Sequence, residues 1–144
     1  MTTGQYFVWL AQQWGETFLY PPFAVITLIL LIGVIASLVR QGLLGRSLIR
    51  DRSWLTFALL LTPGLILLVG TVWRVNSPPT EVHSFGLPDF LLFALPLVHG
   101  LAYALLMIFL PRSRLFVTCL FLFSVWLSWW AGFLAGMSIS EDWV

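Results

Sequence analysis

Residues 115–137, LFVTCLFLFSVWLSWWAGFLAGM, contain no charged side chain. As one helix they reach across a bilayer hydrocarbon core of roughly 30 Å. A chain with such a stretch has few choices, because in lipid every backbone amide and carbonyl must be paired within the segment. Three further apolar runs, at about 23–39, 53–73 and 88–110, are long enough to do the same. Composition agrees: 60% of the 144 residues are hydrophobic, 9% are charged and the mean hydropathy is +0.97, outside the range of an ordinary soluble domain. The expected fold is a single all-α transmembrane domain over 1–144, with four transmembrane helices as two hairpins.

Residues 5–20 read differently. Phe7, Leu10, Trp14 and Phe18 share one helical face, while Gln5, Gln12, Gln13 and Glu16 lie opposite. This is the pattern of an interfacial amphipathic helix preceding the spans. Pro21 and Pro22 follow, suited to the first turn of a new helix, where the amides lack acceptors anyway. Pro63-Gly64 and Pro96 fall inside spans two and three and mark kinks.

All seven basic residues are arginines, and six of them, Arg40, Arg46, Arg50, Arg52, Arg112 and Arg114, lie in the first and third connections. Glu16, Glu81, Asp89, Glu141 and Asp142 fall on the other side. The positive-inside rule then places both termini on the non-cytoplasmic side, with a bacterial inner membrane as the expected location. Arg50-Asp51-Arg52 and Arg112-Ser113-Arg114 each open a span, with Thr56 and Thr118 at matching offsets, a faint sign of an internal repeat. A net charge of +1 gives no reason to expect nucleic acid.

On the fourth span Ser124, Ser128, Gly132 and Gly136 recur every fourth position and end in a Gly-x-x-x-Gly pair, a surface on which another backbone packs closely. Gly100 and Ala104 repeat the spacing on span three. Phe116, Phe123, Trp126, Trp129, Trp130 and Phe133 gather on the opposite side of span four. That aromatic face suits packing, lipid contact, or a site for a quinone, a carotenoid or a neighbouring subunit.

His99, at the centre of span three beside Gly100 and Ala102, is the polar group most exposed to question, because intramembrane ionisable residues are costly unless paired. It suits an axial ligand to a haem or chlorophyll-type pigment, a quinone hydrogen bond, a proton relay, or a structural bond to a neighbouring hydroxyl such as that of Thr62. With Trp126, Trp129 and Trp130 it forms the candidate cofactor-binding set, the cofactor itself being unknown. Glu81, His83 and Asp89 match no specific metal-site spacing and read as a solvated loop. Cys119, the single cysteine, has no internal partner and reads as an inert thiol in an apolar helix.

No phosphate-binding loop, nucleophile elbow, zinc-helix or Cys-x-x-Cys motif occurs. The chemistry points to a non-catalytic accessory or structural subunit of a larger inner-membrane complex, with other integral subunits and lipids as partners. The alternatives are a redox or light-harvesting component using His99, and a small homo-oligomeric transporter or channel.

Overall fold

A computed structural model describes residues 3–42, 52–76 and 86–140. Among these the chain is helical, without strands: α1 (Thr3–Leu19), α2 (Pro21–Arg40), a 3₁₀ segment (Ser53–Leu60) running into α3 (Leu61–Asn76), α4 (Leu87–Phe109), a 3₁₀ turn (Pro111–Ser113) and α5 (Arg114–Ser140). Four stretches, Pro21–Arg40, Ser53–Asn76, Leu87–Phe109 and Pro111–Ile139, are long and apolar enough to cross a membrane. Their ends lie within a few residues of those expected, and the chain is an integral membrane protein.

Tyr20, the residue before Pro21, is extended at φ −69° and ψ 116°, as the proline ring requires of its neighbour. That single residue separates α1 from α2. At the other end of α2 the chain leaves through Gly42 at φ 62°, a left-handed conformation that costs glycine little. The adjacent Gln41 then extends its side chain so that Oε1 accepts from the Phe116 amide at 3.2 Å, satisfying a first-turn amide of α5. Ser53 and Ser113 meet at 2.5 Å nearby. Arg40, Arg52, Arg112 and Arg114 are exposed around this end; Arg46 and Arg50 lie outside the described residues.

The helices do not pair as two hairpins. α5 is the hub, packing most extensively on α3, then on α2, then on α4, whereas α2 and α3 make little contact with each other. Because three helices pack on it, α5 buries a broad sector rather than a narrow stripe. Phe116, from its expected aromatic face, is fully buried against Val34 and Leu120, and Ser124, from the small-residue face, is fully buried as well.

The close approach also falls elsewhere than on the glycine pair. A Cβ placed at Gly132, Gly136 or Gly100 would meet nothing within 4 Å, whereas one at Gly70 of α3 would lie 2.7 Å from the Ala135 Cα. The reason is helical drift: each step of four residues advances about 40° around the axis, so Ser128, Gly132 and Gly136 wind progressively away from Ser124. Val117, Leu120, Ala131, Ala135 and Ser138 stay within about 40° of its direction and are buried with it, while Phe116, Leu134 and Ile139 widen the buried sector on either side. Ala104 is exposed; α4 instead meets α5 through Tyr103, whose ring stacks on Phe121 at 4.1 Å.

Pro63 shapes the start of the second span. Lacking an amide hydrogen and crowding the carbonyl four residues back, it leaves the Leu59 carbonyl without the donor an α-helix would supply. The backbone before it tightens into the 3₁₀ segment, and the Ser124 hydroxyl donates to that carbonyl at 2.5 Å. Position 125, which matches Pro63 in the faint repeat, is valine, and the helix there stays α. Ser124→Ala should therefore cost about 1 kcal/mol in wild type. In a Pro63→Ala background, where residue 63 regains its amide, the same change should cost clearly less. A double-mutant cycle of unfolding in mixed micelles measures the difference; equal costs would mean that Ser124 does not substitute for the missing amide.

Candidate functional site

The four residues expected to share a cofactor lie at two places. His99 is buried at 4% exposure and its Nδ1 lies 2.6 Å from Thr62 Oγ1 on α3. Its ring tilts against Phe121 of α5 at 5.0 Å, and Phe121 is in turn stacked on Tyr103. Tyr103 donates to Thr118 Oγ1 at 3.3 Å, whose own proton points to Met107 Sδ. His99 and Pro88 are the only buried residues of α4. The imidazole is thus the main polar anchor of an otherwise peripheral helix, and its Nε2 is buried without a hydrogen-bond partner.

Trp126, Trp129 and Trp130 lie instead with α1 and α2. Trp126 Nε1 donates to Thr27 Oγ1 at 3.0 Å, which fixes the indole against α2. Phe23, in the first turn of α2, packs 4.7 Å from Trp126 and 5.7 Å from Trp130. Trp14, Phe18 and Phe23 continue the aromatic run into α1. Between these helices is a groove of about 410 Å³, within the usual size range of small-molecule sites. Its floor is formed by Thr17, Phe23, Trp126 and Trp130, and its mouth by the exposed Glu16, Tyr20 and Trp129.

One wall of the groove depends on how α1 is held. Tyr6 is 2% exposed, and its hydroxyl lies 3.1 Å from Thr71 Oγ1 and 3.2 Å from Ser138 Oγ. Ser138 donates its one proton to the Leu134 carbonyl, so Tyr6 donates to Ser138 and accepts from Thr71. The buried side of α1 runs through Tyr6 and Thr17, whereas Phe7 and Phe18, from the expected apolar face, are exposed. Tyr6 was legible only as an aromatic residue near the start of a helix; what it reaches depends on the ends of α3 and α5.

Asp89 accepts from the Gly86 amide at 2.9 Å and caps α4. Glu81 and His83 lie outside the described residues, and among the described residues no three His, Cys, Asp or Glu side chains cluster as a metal site would require. Cys119 is half-buried beside the Val34, Phe116 and Leu120 cluster. Comparison with known protein families, curated proteins and solved structures gives no match, so a functional reading rests on these side chains.

Proposed function

We propose that the protein is a non-catalytic accessory subunit of a larger complex in a bacterial inner membrane. The observation that carries this reading is the bond from His99 to Thr62, which uses the central polar group of the third span to hold one helix on another. Ser124, Tyr6 and Trp126 are used in the same way. The half-exposed Gly132 and Gly136 leave a smooth strip of α5 on which a partner's helix can pack closely. Extraction in a mild detergent should give a species larger than the 16.3 kDa chain. Gly132→Leu should shift it to the free chain on native gels while helical content is unchanged. Recovery of the free chain alone, even after cross-linking in intact membranes, would refute the proposal.

The arginine end supports a topology with both termini outside the cytoplasm. In a Cys119→Ala background, a cysteine at Ser47 should be shielded from an impermeant thiol reagent in intact cells, and one at Gln5 should be labelled. The reverse pattern would invert the chain in the membrane.

A second reading, in which His99 binds a pigment or quinone, draws on the unpartnered Nε2. Under the structural reading His99→Asn, which retains a polar amide, is nearly silent. His99→Leu costs on the order of 1 kcal/mol, the scale of interhelical bonds in membranes. A visible absorption band in the purified protein, lost in both variants, would decide for the pigment.

A further inference from the structure

We propose that the groove between α1, α2 and α5 binds the headgroup of a phospholipid that carries an ammonium group. Its lining combines one acid, Glu16, with the rings of Tyr20, Phe23, Trp126, Trp129 and Trp130, and includes no basic residue. Glu16 has no ion pair among the described residues, and the five arginines described lie elsewhere. An ammonium group is attracted both by a carboxylate and by the face of an aromatic ring, tryptophan being the best. An anionic head is repelled by the acid and gains nothing from the ring faces.

The position fits a lipid as well as the chemistry does. Tyr20 and Pro22 stand at the first turn of the first span, where an apolar helix meets the headgroup layer, and they share the groove with Trp129 and Trp130. Trp129 is 63% exposed and Tyr20 62%, so both present rings at the mouth beside Glu16, while Phe23 and Ile26 continue the lining toward the apolar layer. A head carrying positive charge at the mouth and methylenes below it would match this order. Ordinary interfacial tryptophans, by contrast, would favour no particular headgroup.

The test uses the full chain, delipidated in maltoside micelles and offered equal amounts of phosphatidylethanolamine, phosphatidylcholine and phosphatidylglycerol with identical acyl chains, with retained lipid read by native mass spectrometry. The ethanolamine and choline lipids should be retained over the glycerol lipid. Glu16→Gln and Trp129→Leu, both at exposed positions, should each lower that retention roughly three- to tenfold without loss of helical content or thermal stability. Dodecyltrimethylammonium, which has the charged head but no phosphate, should displace the retained lipid. Equal retention of all three lipids would overturn the proposal, as would a preference unchanged by Glu16→Gln. Failure of dodecyltrimethylammonium to displace them would show that the phosphate, not the ammonium, is recognised, and would overturn it too.

Discussion

Gly70→Leu is expected to abolish the folded bundle. A Cβ at this position would sit 2.7 Å from the Ala135 Cα, 2.8 Å from its Cβ and 3.3 Å from its carbonyl oxygen, and backbone atoms cannot move aside as the tip of a flexible side chain can. Even Gly70→Ala should cost about 1–3 kcal/mol through overpacking. Leucine forces α3 and α5 apart and removes the packing of Ile66 on Ala131 and Ala135. Gly132→Leu and Gly136→Leu are the controls, because the space beside both is open within the chain. The denaturant needed to lose helicity in micelles should separate Gly70→Leu from the other two. A Gly70→Leu protein as stable as wild type would mean that α3 and α5 do not approach here.

The second large effect is expected at Tyr6. Tyr6→Ala removes a ring that is almost fully buried together with its bonds to α3 and α5, and should loosen the docking of α1 by about 3 kcal/mol, the low end for truncating a buried aromatic residue. Tyr6→Phe keeps the ring, and Ser138 keeps its bond to Leu134, so the cost should fall to about 1 kcal/mol. Amide hydrogen exchange over residues 3–19 reads the difference directly. Exchange there should accelerate strongly in Tyr6→Ala and slightly in Tyr6→Phe, with the four spans unaffected. Because α1 forms one wall of the aromatic groove, Tyr6→Ala should also weaken whatever the groove retains. Unchanged exchange in Tyr6→Ala would mean that α1 is held by its contact with α2 alone.

Much of the architecture was legible in the sequence because bilayer physics acts on composition over long windows. Runs such as 23–39 and 115–137 are apolar in any arrangement, and a charge-free helix of that length needs no neighbour to make it a span. Pro21-Pro22 separates α1 from α2 by local sterics, and Thr62 could be named as a partner for His99 because a buried imidazole needs a hydroxyl or carbonyl within reach. What only the tertiary structure decided is which side of each helix meets which neighbour. Two small-residue pairs overlap on α5, Ala131 with Ala135 and Gly132 with Gly136, and the sequence alone favours the glycines. They lie about 100° apart around the axis, and it is the position of α3 that selects the alanines and supplies Gly70 as their partner. The same holds for the cofactor set. His99 and the three tryptophans are all polar or aromatic groups within the spans, but α5 lies between α4 on one side and α2 with α1 on the other, and it places the imidazole against Phe121 and the indoles in a separate groove. Periodicity fixes the relative angles of residues on one helix, whereas the rotation of that helix within the bundle is set by side chains distant in the chain, such as Gly70, Thr62 and Thr27.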